Sequence, residues 1–160
     1  MVEIVTSNSE KIASMIQALP EFAFKNSSTD IRSRIEGRQY TVVTARSNGF
    51  DAGFMVCYEE DDCSYYNWIM GVLPRFRRSG IGNALIRHFA EAALAAKCPR
   101  LRVKTMNKYR SMLRLLVDCH FDIVALEDGK ITFESDAQQV LGVDALTRAT
   151  QPWRWAKGQE

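Results

Sequence analysis

Val2-Glu3-Ile4-Val5-Thr6 is a short run rich in β-branched residues, and apolar positions then take a three- and four-residue spacing at Ile12, Met15, Ile16 and Leu19. The first pattern predicts a short strand and the second an amphipathic helix. Ser7 or Ser9 is the expected cap, and Pro20 marks the end. "TDIRSRIEG" predicts a second short helix stopped by Gly37. Three strand patterns follow, "QYTVVTARS", "DAGFMVCYEE" and "CSYYNWIMGVLP", joined by the turn "NGF" and the acidic "EEDD". Links this short predict an antiparallel meander. Strict alternation along the third strand puts Tyr66, Trp68, Met70 and Val72 on one face.

After Gly80 the helical spacing returns at Ile81, Leu85, Phe89, Ala92 and Ala96. "RLRVKTM" alternates like a strand. "YRSMLRLLVDC" predicts a helix with Met112, Leu115, Leu116 and Cys119 on its apolar side. "FDIVALE", the turn "DGK" and "ITFES" form a last hairpin. The order β-α-α-β-β-β-α-β-α-β-β places the chain in the α/β class (α+β mixed). The expected architecture is a mixed sheet of about six to seven strands flanked by about four helices, with a right-handed crossover around Gly80. Residues 1–135 read as one domain and 136–160 as an extension packed on it. Trp153 and Trp155 in that tail either dock on the body or meet a partner.

Composition narrows the function more than the fold. The 160 residues are 46% hydrophobic and 25% charged, as in an ordinary globular domain, and a net charge of +2 creates no global pull toward nucleic acid or a membrane. The cations are unevenly spread, however. Arg75, Arg77, Arg78, Arg87, Arg100, Arg102, Lys104, Lys108, Arg110 and Arg114 follow the acidic run Glu59 to Asp62, which favours an anionic ligand near mid-chain. Cys57, Cys63, Cys98 and Cys119, with His88 and His120, have no metal-ligand spacing, so no metal is expected. Without a secretion signal or an apolar run of membrane-spanning length, a cytoplasmic protein with four reduced cysteines is expected.

The stretch "GVLPRFRRSGIGNALIRHF" sets two glycines and an arginine cluster between a strand and a helix. Helix N-termini carry unpaired N–H groups and partial positive charge, glycines let the backbone approach an anion, and arginines add bidentate donors. A P-loop would need Lys-Ser/Thr after Gly82, where Asn83 stands. A dinucleotide fingerprint would need a small residue at Leu85. The pattern Arg/Gln-x-x-Gly-x-Gly/Ala fits as Arg77-Arg78-Ser79-Gly80-Ile81-Gly82. With "VKTMN" and "CHFDIV" downstream, residues 2–135 resemble the GCN5-related N-acetyltransferases (GNAT). The resemblance implies acetyl-CoA as cosubstrate, with its pyrophosphate on Arg77, Arg78, Ser79, Gly80, Ile81, Gly82 and Asn83. It implies backbone pairing of the pantetheine arm at Met70, Gly71 and Val72, where one N–H polarises the thioester carbonyl. Asn107 matches a family asparagine that contacts the cofactor. The implied reaction is direct acetyl transfer to a primary amine of a small molecule or protein.

The pattern departs from the family at its acid and base. Leu116 stands where many members carry an acidic tyrosine, and His120-Phe121 replaces Gly-Phe. Tyr109 and Ser111 are the candidates to substitute, the other reading being that Tyr109 packs over the cofactor or faces solvent. Tyr66 takes the place of a basic glutamate and reads more readily as a pocket wall, since a tyrosine with a pKa near ~10 is a poor base at neutral pH. "EEDD" either attracts a cationic amine or is a solvated hairpin tip. His88 reads as a surface residue and Cys119 as core. Two other readings stand beside the enzyme: a partner- or CoA-binding protein on the same scaffold, and an acyltransferase acting on a nucleic acid such as tRNA through Lys108, Arg110 and Arg114. A monomer and a homodimer are equally compatible with the sequence.

Overall fold

The computed structural model describes residues 1–22 and 24–142. Trp153, Trp155 and most of the expected extension lie outside the described residues. The chain runs β1 (Val2–Thr6), α1 (Ser9–Gln17), α2 (Ser28–Ile35), β2 (Tyr40–Ser47), β3 (Phe50–Glu59), β4 (Tyr65–Val72), a 3-10 turn (Pro74–Phe76), α3 (Ile81–Ala95), β5 (Arg100–Met106), α4 (Arg110–Asp118), β6 (Asp122–Glu127), β7 (Lys130–Asp136) and α5 (Ala137–Gly142). One seven-stranded sheet has the order β1-β2-β3-β4-β5-β7-β6. The mixed α/β class and, among the described residues, the strand number follow the expectation, and α5 adds a fifth helix there.

Local chemistry sets most of these boundaries. Asn8, not either neighbouring serine, caps α1 by accepting from the Lys11 N–H at 2.9 Å. Ser27 and Asp30 close a reciprocal capping box on α2. Asn48 and Gly49 both take positive φ, the geometry a two-residue hairpin turn requires, and Asp128-Gly129 repeats it between β6 and β7.

The sheet separates two cores. On one face Ile12, Met15 and Ile16 of α1 and Ile31 and Ile35 of α2 pack on Val42, Phe54, Val56, Tyr58 and Ile69. On the other, α3 and Leu116 of α4 cover Val43, Met55, Tyr65, Leu101, Val103 and Phe133. The buried face of α3 is Ile81, Leu85, Ile86, Phe89, Ala90 and Ala93; the expected Ala92 and Ala96 sit at its margin. Each fully buried Leu, Ile or Phe contributes about 1.5–3 kcal/mol of transfer free energy. β2, β3 and β4 form the antiparallel meander, and β5 joins β4 in parallel after the α3 crossover. β7 then inserts between β5 and β6. α5 follows β7 directly with Ala137 and Val140 buried, and Arg87 of α3 donates to the Leu141 carbonyl at 3.4 Å.

Candidate active site

Adjacent strands β4 and β5 pair only at Tyr65, Tyr66 and Asn67 against Leu101, Arg102 and Val103. Both continue further, β4 to Val72 and β5 to Met106, so beyond Asn67 they part. The cause lies on the other side of β4. Its register with β3 moves from Val56↔Ile69 to Cys57↔Asn67, which leaves Trp68 as an extra residue. Such a bulge bends its strand and increases its twist. It also overturns the expected alternation. Tyr66 and Trp68 pack with the α1–α2 core, whereas Met70 and Val72 pack with the α3 core. The four residues do not share a face.

The loop after β4 opens at this parting. Arg78 and Gly80 adopt left-handed conformations, with φ 62° and 85°. A Cβ at Gly80 would meet nothing within 4 Å, so its glycine serves backbone conformation and leaves the approach clear. Gly80 caps α3 without a side-chain bond, and no acid occupies the first turn. The opening N–H groups of a 15-residue helix thus face the loop with their dipole uncompensated. Alternating left-handed residues of this kind turn successive N–H groups into one concavity.

The two other glycines of the motif region have different reasons. A Cβ on Gly82 would lie 3.0 Å from Leu115 Cδ2, so Gly82 lets α3 approach α4. A Cβ on Gly71 would lie 2.7 Å from both Leu19 Cδ1 and Phe54 Cζ, so Gly71 makes room for the α1–α2 core.

The arginines divide similarly. Arg77 Nε donates to the Val72 carbonyl at 3.0 Å and its guanidinium pairs with Glu21, so Arg77 braces the loop against the end of β4. Arg75 stacks between Phe50 and Phe76. Arg78 is exposed and has no carboxylate partner among the described residues, leaving it available to an anion. Ser79 Oγ donates to the Phe76 carbonyl, Asn83 Oδ1 accepts from the Cys119 thiol at 3.6 Å, and Asn107 is exposed in the turn after β5. Arg100 and Arg102, expected to favour an anionic ligand, are instead used internally. Arg102 bridges Glu60, Asp62 and Glu134 at 2.8 to 2.9 Å, and Arg100 pairs with Asp62. The "EEDD" run is therefore neither a lure for cations nor a plainly solvated tip. Glu59 holds Gln39, Asp61 pairs with Arg38, and the run ties the β3–β4 hairpin to β5 and β7.

The candidate acid and base residues Tyr66 and Tyr109 are held in place by their surroundings. Burial pushes the Tyr66 hydroxyl up to about 12, with Tyr58 and Glu60 adding to the rise. Its ring lies 5.6 Å from Tyr58, with Lys104 Nζ 5.8 Å from its centroid, in an aromatic wall that includes Trp68 under the Arg34 guanidinium. Tyr109 sits at the N-cap position of α4 rather than within it, and its hydroxyl donates to the Glu21 carbonyl at 3.0 Å. Leu116 is fully buried under α3. A depression of about 400 Å³ beside the 3-10 turn is lined by Phe50, Leu73 and Arg75.

Sequence reasoning passed over Asn67. It is 3% exposed at the last paired position of β4, and its Oδ1 has no hydrogen-bond partner. Its signal was present as a lone amide inside the apolar run "YYNWIMGV". Together, the open helix terminus and the parted strands can hold a ligand with an anionic end on the loop and an extended polar arm along β4.

Residues 38–114, from the loop after α2 into α4, match the family model described as an acetyltransferase (GNAT) domain. No curated protein sequence matches the chain. Solved structures share the fold. An IAA acetyltransferase from Bacillus cereus superposes with a TM-score of 0.69 at 22% identity, covering 85% of this chain and 99% of that one. The ribosomal-protein-S18-alanine N-acetyltransferase from Escherichia coli gives 0.70 at 18%, covering 86% and 94%. A Salmonella typhimurium protein solved with acetyl-CoA as its cofactor gives 0.67 at 15%, covering 90% and 96%. At these identities the likeness is one of fold.

Proposed function

We propose that the chain, whose residues 38–114 match the family model of a GNAT acetyltransferase domain, is an acetyl-CoA-dependent N-acyltransferase acting directly on a primary amine. The observation that carries the reading is the parting of β4 and β5 beyond Asn67 and Val103, with the open N-terminus of α3 after the same strand. Acetyl-CoA supplies the activated acetyl thioester. The N–H groups of Ile81, Gly82 and Asn83, with the left-handed turns at Arg78 and Gly80, bind its pyrophosphate, and Arg78 adds charge. Ser79 and Asn107 border the same cofactor path. Backbone groups of Met70, Gly71 and Val72 hold the arm in place of a neighbouring strand, and one N–H there polarises the reacting carbonyl. Arg77 acts by holding this loop to β4.

Neither tyrosine carries the proton work. Tyr66 stays protonated, and Tyr109 is committed to the Glu21 carbonyl. The rate then rests on proximity and carbonyl polarisation, with the amine attacking in its neutral form. Tyr66 and Trp68 form a wall of the acceptor pocket on the α1–α2 side. Among the described residues no helix is long and apolar enough to cross a membrane; a cytoplasmic amine, on a small molecule or a protein, suits the reading. The buried Leu116 favours one second reading, a CoA-binding protein without turnover.

Calorimetric titration with acetyl-CoA, followed by thiol release over a panel of small amines and peptides, tests both. Saturable binding and release with at least one amine supports the enzyme. Binding with no release on any amine supports the second reading, and no binding of any CoA species removes both.

A further inference from the structure

Asn67 lies where β4 and β5 part, and its chemistry is out of keeping with its surroundings. It pairs with Cys57 of β3 on one side and Val103 of β5 on the other. Directly paired residues share a face, and both partners belong to the α3-side core. The Asn67 side chain therefore points to that face, shared with Met70 and Val72 beyond the bulge. Its Nδ2 donates to the Met70 sulfur at 3.5 Å, a weak acceptor, and its Oδ1 has no partner.

A buried amide left half-satisfied costs about 1–3 kcal/mol, and a leucine of similar volume would avoid that cost. Among the described residues four other buried side-chain atoms lack hydrogen-bond partners, on Ser7, Thr44, Arg46 and Asp51, and none belongs to β4 or β5; those of Arg46 and Asp51 form an ion pair with each other. We propose that Asn67 is a cofactor-binding residue whose free Oδ1 accepts a hydrogen bond from an amide N–H of the pantetheine arm at the fork between β4 and β5.

The inference rests on the acetyl-CoA reading. It gives the site a side-chain contact to the arm, separate from the loop that takes the pyrophosphate. Asn67 neither gives up nor receives a proton. It fixes how far the arm enters the fork.

The test compares wild type with Asn67→Leu and Asn67→Ala by calorimetry, using CoA and ADP as probes, and by thermal melts without ligand. ADP carries the pyrophosphate but no pantetheine. The expected result is a 5- to 30-fold weaker CoA affinity in both variants, unchanged ADP affinity, and a melting temperature for Asn67→Leu at or above wild type. Equal weakening of CoA and ADP would overturn the proposal by showing a distorted loop. Unchanged CoA affinity would overturn it directly, as would a lower melting temperature for Asn67→Leu without selective loss of CoA. Should Asn67→Leu not fold, Asn67→Ala decides on the CoA-to-ADP contrast alone. Failure of wild type to bind CoA at all would instead refute the acetyltransferase reading, so the two failures are distinct.

Discussion

Replacing Gly71 by alanine separates two explanations of a glycine near the end of β4. If the glycine serves close approach of a ligand to the backbone, Gly71→Ala weakens acetyl-CoA binding and leaves the fold alone. The structure argues the reverse. The new Cβ would stand 2.7 Å from Leu19 Cδ1 and Phe54 Cζ and 3.0 Å from Phe54 Cε1. Carbon atoms rest comfortably at about 3.5–4.0 Å, so two fully buried side chains must each yield by roughly 1 Å. Overpacking of this kind costs about 1–3 kcal/mol. The loss of glycine flexibility in the unfolded chain returns about 0.4–1 kcal/mol, since Gly71 does not use positive φ. A net destabilisation of about 1–2 kcal/mol follows, which lowers the melting temperature by about 2–8 °C for a domain of this size. Urea melts should show a lower midpoint with an unchanged slope. In a Leu19→Ala background the cost of Gly71→Ala should shrink by about 0.5 kcal/mol or more, because one of the two obstructing groups is gone. Stability within about 0.3 kcal/mol of wild type, or full additivity with Leu19→Ala, would refute the packing argument.

Other expectations follow from the polar groups. Tyr66→Phe should keep kcat/KM within about threefold and leave its pH profile unmoved, because a hydroxyl pushed up to about 12 takes no part in proton transfer near neutrality; a lost basic limb would contradict this. Tyr109→Phe frees the Glu21 carbonyl and loosens the chain after α1; steady-state kinetics should show a higher acceptor KM with kcat largely kept, whereas a collapse of kcat alone would restore Tyr109 as the acid. Arg102→Gln strands Glu60, Asp62 and Glu134 beside one another and should cost about 1–3 kcal/mol in urea melts. Hydrogen bonds from Ser64, then Arg102, hold the Asp62 carboxyl well below its ordinary 3.8. A depressed folded pKa stabilises above the unfolded value and is lost as protons bind, so wild-type stability should fall as pH drops below about 4 and Arg102→Gln should flatten that slope. An equally steep acid limb in the variant would place the dependence elsewhere.

The loop shows why a motif can be recognised for partly wrong reasons. Arg77 and Gly82 fit the phosphate pattern by position, yet Arg77 is occupied by Glu21 and the Val72 carbonyl, and Gly82 is explained by Leu115. Gly80 alone has the open surroundings and left-handed backbone that the reading required of both glycines. A bulky residue at Gly82, even one that abolishes cofactor binding, would therefore also disturb the contact between α3 and α4.

What the sequence by itself determined is what depends on neighbours along the chain. β-Branched or alternating runs bounded by turns located every strand among the described residues, and period-3.6 patterns the four main helices, because each must present apolar surface wherever it packs. Asn48-Gly49, Asp128-Gly129 and the Gly80 turn were legible because positive φ is a local demand. Tertiary structure decided the rest. The bulge at Trp68 exists only through pairing with β3, and it split the expected face of Tyr66, Trp68, Met70 and Val72. The insertion of β7 between β5 and β6 has no local marker, since a hairpin can dock on either edge. Arg102 was one basic residue among many until the fold brought three carboxylates to it. Asn67 became conspicuous only once its surroundings closed over it, because satisfaction of a polar atom depends on which distant segments arrive beside it.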